Sequence, residues 1–233
     1  MTAARTYDSA GGLDHGRKKI SCALSPSEVA SLMDALAREF PNPRPALVFK
    51  NPFELLCAVA LSAQATDASV NLATPALFKA APDPEAMAAL GEDGIAPYIK
   101  SIGLWRAKSR NLAALSKILC ERHGGQVPDD YDALVALPGV GSKTANVVLN
   151  VAFGHPTIAV DTHIFRVCAR TGLCPLKNAK AVEKALPSIV PDEHKQEAHH
   201  RLLFHGRYVC TARSPKCATC CIREICRYKC KTS

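Results

Sequence analysis

From residue 26 onward, apolar positions recur at the three-and-four spacing of helices and almost nowhere alternate as a strand would. Ser25-Pro26-Ser27-Glu28 combines a capping box with proline at the first helical position. Val29, Leu32, Met33, Leu36 and Phe40 then share one face, and the run Pro41-Asn42-Pro43-Arg44-Pro45 stops the helix and marks a boundary. Asn51-Pro52-Phe53-Glu54 opens a second helix into LLCAVALSAQ. That helix is apolar almost all round, so it is expected at the centre of a core. Further helices are predicted over about 66–79, 84–90, 106–122, 131–136, 142–153, 162–171, 178–189 and 193–208, each end good to ~2–4 residues. Gly91, Gly124-Gly125, Gly154 and Gly172 suit the C-terminal caps. Thr157-Ile158-Ala159-Val160 is the one β-favouring run, and it is short. The expected class is all-α, with a cysteine-bearing C-terminal appendix.

Composition bounds the function. The chain has 233 residues and is 48 % apolar, which suits one large or two small globular domains. Its 29 basic against 21 acidic residues give a net charge of +8, which favours a polyanionic partner, with nucleic acid first. No apolar run approaches the ~18–20 residues that span a bilayer, so no membrane association is expected. Residues 1–24 are rich in glycine and charge, without an apolar signal region, and read as a loose tail. The cysteines are therefore expected in a reducing compartment. Of 11 cysteines, Cys22, Cys57, Cys120, Cys168 and Cys174 read as small buried hydrophobes, while six crowd the last 24 residues. Such crowding points to a metal site rather than disulfides.

LPGVGSKTANV, Leu137 to Val147, carries the chemistry. A nucleotide-binding P-loop needs Gly-x4-Gly-Lys-Ser/Thr after a strand. Here Ser142 separates Gly141 from Lys143 and a helix precedes the turn, so that reading fails. A helix-hairpin-helix fits instead. Glycine permits positive φ and close backbone approach, and the amides of the turn and the next helix start would point outward together. A DNA phosphate suits that site and carries no sequence information. Asp161, in VDTH, suits a helix N-cap. The spacing Cys210-x6-Cys217-x2-Cys220-x5-Cys226 could hold zinc or an iron–sulfur cluster, although zinc sites commonly pair two short clamps and only one is present.

The segment LPGVGSKTANVVLNVAFGHPTIAVDTHIFRV resembles the helix-hairpin-helix region of the endonuclease III family of DNA glycosylases. The likeness extends to LLCAVALSAQATDASVN, YIKSIGLWRAK and HGRYVCTARSPKCATCCIREIC, over about residues 26–228. It implies a bifunctional base-excision enzyme, an N-glycosylase and AP lyase removing oxidised pyrimidines from duplex DNA. Lys143 would be the nucleophile, attacking C1′, expelling the base and forming a Schiff base that permits β-elimination. Asp161 would be the catalytic carboxylate. The damaged base must leave the stack, and the resemblance assigns Gln64 and Leu104 to fill the gap. Gly139, Val140 and Gly141 would hold a phosphate by their backbone, and His163 would approach the lesion or a phosphate.

The resemblance also selects a [4Fe–4S] cluster on Cys210, Cys217, Cys220 and Cys226, leaving Cys221 and Cys230 as extra thiols. Four thiolates on a 2+ core sum to about −2, taking the charge from +8 to about +6. The cluster would hold Arg213 and Lys216 against DNA. The implied architecture has two lobes: a six-helix bundle over residues 45–155, and an iron–sulfur lobe from 25–44 and 156–233. The expected partner is double-stranded DNA with damaged pyrimidines or abasic sites, bound by a monomer at the nucleoid of a bacterial cytoplasm. The related adenine-mismatch glycosylases lack the hairpin lysine and usually carry a further C-terminal domain. A non-catalytic DNA-binding module would gain nothing from Lys143 with Asp161.

Overall fold

The computed structural model describes residues 22–232. Among them there are ten α-helices and no strand. They are α1 Pro26–Glu39, α2 Pro52–Leu61, α3 Asp67–Ala80, α4 Pro84–Ile99, α5 Trp105–His123, α6 Tyr131–Val135, α7 Ser142–Phe153, α8 Thr162–Thr171, α9 Ala179–Ile189 and α10 Lys195–Phe204. The capping box at Ser25 and Glu28 forms as expected. Asn51, Thr66, Asp83, Asp130, Asp161 and Asn178 cap α2, α3, α4, α6, α8 and α9 by their side chains. Each such cap contributes about 1 kcal/mol.

Two apolar clusters form. The first draws on α2 to α7, with Phe53 and Leu55 to Val59 of α2 at its centre. The second joins α1 to the segment from Ile158 to Ile222. Residues 22–24, read from the sequence as the end of a tail, take part in the second: Leu24 is buried, and Ala23 N–H donates to Gly172 O at 2.9 Å. The rest of the tail, residues 1–21, lies outside the described residues.

Several ties join the clusters. Asn150 of α7, buried, donates its amide to the carbonyls of His155, Thr157 and Gln196 at 3.0, 3.2 and 3.0 Å, and Gln196 Nε2 answers to Asn150 O at 3.1 Å. Arg207 reaches Asp67 of α3 at 2.9 Å.

Two elements depart from expectation. The helix predicted to stop at residue 90 does break at Gly91 (φ 64°), but resumes and runs to Ile99. The segment predicted as one helix over 193–208 is a 3₁₀ turn Asp192–His194, then α10, then a π turn His205–Val209. This π turn delivers the chain to Cys210 and brings Gly206 against α8. A Cβ on Gly206 would lie 2.9 Å from His163 Cβ, so only glycine permits that approach. The Thr157–Val160 run pairs with no strand.

Candidate active site

The hairpin is α6, the turn Leu137–Gly141 and α7. Leu137 and Val140 are buried in the first cluster and pin the turn. Gly139 adopts φ 78°, and a Cβ there would lie 2.8 Å from Asn111 Nδ2. Gly141 differs: its φ is −99°, its Cβ position is open, and it caps α7 without a side-chain bond. The first intrahelical bond is Ala145 N–H to Gly141 O. The amides before Ala145 are the unsatisfied donors that every helix start leaves. Val140 departs from its expected phosphate role, because its N–H already donates to Leu137 O at 3.1 Å. The N–H groups of Gly139 and Gly141, on either side of it, donate to no other described residue.

Lys143, the second residue of α7, is exposed and borders a cleft that Asp161 also borders. Asp161 caps α8, accepting at Oδ1 from the N–H groups of His163 and Ile164, both at 2.9 Å. The cleft continues along Asp67, His199, His200, Phe204 and Arg207. Burial lowers the pKa of His199 to about 3, with His200 adding to the effect. Its Nδ1 bonds Ala159 O at 2.9 Å, so the ring is a neutral Nδ1–H donor. His163 stands outside this cleft lining, with Nδ1 3.2 Å from Arg166 Nη2.

Gln64 and Leu104 are exposed and lie outside the cleft lining. Each has positive φ, 54° and 61°, and no other described non-glycine residue does. A branched side chain held there is strained, and such strain concentrates at functional positions. The sequence alone also allowed Leu104 to be a core residue. Its 62 % exposure excludes that.

Cys210, Cys217, Cys220 and Cys226 line one recess, with Cys221 and Cys230 outside it and exposed. Among the described residues no three His, Cys, Asp or Glu side chains converge tightly enough for a single metal ion. Four thiols around a shared apolar recess suit the larger [4Fe–4S] cube rather than one tetrahedral zinc. Donors stand ready for the sulfurs: Arg170 Nη1 lies 3.6 Å from Cys210 Sγ, and Tyr228 N–H 3.5 Å from Cys226 Sγ. Burial pushes the Cys220 and Cys226 thiols up when no cluster is bound. Arg170 also braces the first loop through Thr211 O and Ala212 O at 2.7 and 2.8 Å. Arg213 and Lys216 project from that loop, exposed, and form no ion pair among the described residues.

Sequence reasoning missed Asp67, His199, His200 and Arg207 as cleft residues. The signal was the polar doublet His199-His200 followed by Arg207 on an otherwise core-facing segment.

An all-helical fold, a glycine hairpin with a lysine at the next helix start, a carboxylate across the cleft and a four-cysteine recess define a helix-hairpin-helix, iron–sulfur DNA glycosylase. Comparison with known proteins agrees. Residues 57–192 match the profile of HhH-GPD superfamily base excision DNA repair proteins, and residues 210–226 that of the iron-sulfur binding domain of endonuclease III. The chain is 55 % identical to endonuclease III of Escherichia coli (strain K12) over 198 residues, covering 85 % of this chain and 94 % of that one. It is 50 % identical to endonuclease III of Bacillus subtilis (strain 168) over 205 residues, 88 % and 94 % of the two chains. A trapped endonuclease III–DNA covalent intermediate superposes with a TM-score of 0.81 at 46 % identity, covering 88 % of this chain and 96 % of that one. The chain belongs to the endonuclease III family. It is a base-excision repair DNA glycosylase and AP lyase that carries a [4Fe–4S] cluster.

Proposed function

We propose that this chain removes oxidised pyrimidines from duplex DNA and cleaves the abasic sites that result, with Lys143 as nucleophile and Asp161 as its carboxylate. The observation that carries the reading is that both side chains border one cleft, Lys143 from α7 and Asp161 from the start of α8. The Lys143 amine bonds to C1′ as the base departs and takes a proton from the nitrogen; the C1′–O4′ bond then breaks, O4′ taking a proton as the sugar ring opens, and an iminium is left between C1′ and Nζ. The iminium acidifies C2′–H, and loss of that proton breaks the C3′–O bond. The Asp161 carboxylate stabilises positive charge developing at the sugar.

The damaged base is flipped, with Leu104 and Gln64 occupying the vacated stack and Gln64 facing the orphaned base. The amides of Gly139 and of Gly141 onward take a phosphate, and Arg213 and Lys216 take others. When bound, the cluster cross-links the loop that carries these two cations. Two lobes, one over residues 45–155 and one from 25–44 with 156–233, would thus grip DNA from both sides of the cleft. The chain would act on DNA as a monomer. Binding to DNA would hold it at a bacterial nucleoid.

Borohydride reduction of the protein on duplex DNA with an oxidised pyrimidine tests the assignment. A covalent adduct is expected from wild type and from Lys117→Ala, on the far-exposed face of α5, and none from Lys143→Ala. Intact DNA binding without any adduct in wild type would overturn it.

A further inference from the structure

Ser142 precedes Lys143, and Val160 precedes Asp161. A single carboxylate holds both neighbours. Glu183 of α9 accepts from Ser142 Oγ at 2.7 Å through Oε1 and from Val160 N–H at 2.9 Å through Oε2. The sequence fold explains how it arrives there. Asn178 caps α9 and Val182, Ala185 and Leu186 bury its apolar face in the second cluster. Glu183, beside Val182, is left half-buried at the edge of that face.

Both bonds involve an ionised acceptor, the stronger kind. The carboxylate also sits at the start of α7, where a negative charge is favoured by the open amides and the helix dipole. Val160 is nearly buried, so its N–H needs a partner. In a sheet a second strand would supply one. Here the β-favouring run has no partner strand, and Glu183 takes that place. The result is a bracket: one end grips the helix that carries Lys143, the other grips the turn that carries Asp161.

We infer that Glu183 is a positioning residue for the Lys143–Asp161 pair. It fixes the separation of the two walls of the cleft without touching the sugar or the reacting atoms. The inference rests on the roles proposed above for Lys143 and Asp161. A misplacement of about 1 Å in a reacting group can cost on the order of 100-fold in rate, so a bracket of this kind matters to chemistry more than to binding.

Three variants test it. Glu183→Ala removes both bonds. Ser142→Ala removes only the one to α7. Glu183→Gln keeps both partners, since the carboxamide oxygen can accept from Val160 N–H while its amine donates to the Ser142 hydroxyl, which reverses its role. The readout is the single-turnover rate of borohydride-trapped adduct formation on duplex DNA carrying a pre-formed abasic site. It is measured alongside the DNA dissociation constant, the melting temperature and the visible absorption of the cluster. Glu183→Ala is expected to slow trapping by about 10- to 100-fold at unchanged dissociation constant, Ser142→Ala by less, and Glu183→Gln to recover most of the wild-type rate. A purely structural role would lower the melting temperature and leave the rate below it alone, which would overturn the inference. Equal loss in Gln and Ala variants would mean that the charge acts rather than the bracket, and would also overturn it. Should Glu183→Ala fail to fold, Ser142→Ala decides: a slowed rate at unchanged binding supports the bracket, and a wild-type rate refutes it. Lys143→Ala run in parallel separates the two readings. If it still traps, the nucleophile assignment has failed. If it does not trap while Glu183→Ala traps at the wild-type rate, only the positioning role has failed.

Discussion

Gln64 and Leu104 adjoin through Gly103, whose Cβ position lies 3.9 Å from the Gln64 carbonyl oxygen, and both hold left-handed backbone angles. Leu104 also exposes most of its side chain, so neither its backbone nor its burial stabilises the protein. It is maintained against local cost, as residues kept for function commonly are. Leu104→Gly should therefore raise stability by up to about 1 kcal/mol through relief of the left-handed strain, yet slow excision from duplex DNA by at least about tenfold, ~1.4 kcal/mol of barrier. Leu104→Ala keeps the strain and should melt close to wild type while showing the same loss of excision. Melting temperature and single-turnover excision measure the two effects. A glycine variant that melts below both others would show that the strain argument is wrong.

The two hairpin glycines should respond differently to alanine. At Gly139 the angle is left-handed and the added Cβ would press on Asn111 at 2.8 Å. Gly139→Ala should cost about 1–3 kcal/mol and lower the melting temperature. At Gly141 the backbone is extended and the Cβ position open, so Gly141→Ala should melt as wild type. Its methyl group would nonetheless stand where a phosphate must approach the amides of α7. DNA affinity is expected to fall in Gly141→Ala at constant stability, and a gel-shift titration beside a thermal melt would detect it. Wild-type affinity in that variant would remove the phosphate from this end of the hairpin.

Local signals made most of the framework legible. Asx and Ser caps with proline at the first turn marked helix starts, whereas Lys143 stands in LPGVGSKTANV and Asp161 in the separate VDTH, and the family resemblance rather than local pattern proposes their roles. What failed to show was set by tertiary contact. Gly91 reads as a C-terminal cap, yet Ile95 and Ile99 beyond it are fully buried and α4 packs along α5. That burial outweighs weak helix propensity. Thr157 to Val160 carries strand-favouring residues, but Asn146 O accepts the Thr157 hydroxyl at 2.5 Å and Glu183 the Val160 amide. No strand is needed to satisfy them. The Arg207–Asp67 pair joins residues far apart in the chain, and no sequence window contains both.

Adjacent Cys220 and Cys221 pose a ligand choice that is ambiguous on chemistry alone, and the spacing favours Cys220. Cys220 shares the recess with Cys210, Cys217 and Cys226, whereas Cys221 is exposed outside it. Cys221→Ser should retain iron content and visible absorption at wild-type levels. Cys220→Ser should lose most of both, and the loop carrying Arg213 and Lys216 should become susceptible to limited proteolysis. Retention of iron in Cys220→Ser but not in Cys221→Ser would reverse the assignment.

His199 makes stability depend on mild acid. Burial holds its pKa at about 3 in the folded protein, whereas an unfolded histidine titrates near 6.5. Between these values the unfolded chain binds the extra proton, so stability rises with pH across the window and is fully present above about 6.5. It is lost as pH falls toward 3, with a limiting slope of about 1.4 kcal/mol per pH unit for one proton. His205, held at about 4 by burial, acts in the same direction. His199→Asn keeps a donor for the Ala159 carbonyl and removes the titration. Its stability at pH 7 should be lower than wild type, because the ring's packing is lost, but its decline between pH 7 and 5 should be shallower by up to that slope. Urea unfolding at the two pH values, with cluster absorption followed in parallel, measures the difference. Parallel declines in the two proteins would mean that His199 takes up no proton on unfolding, and the acid sensitivity would then have to come from other groups.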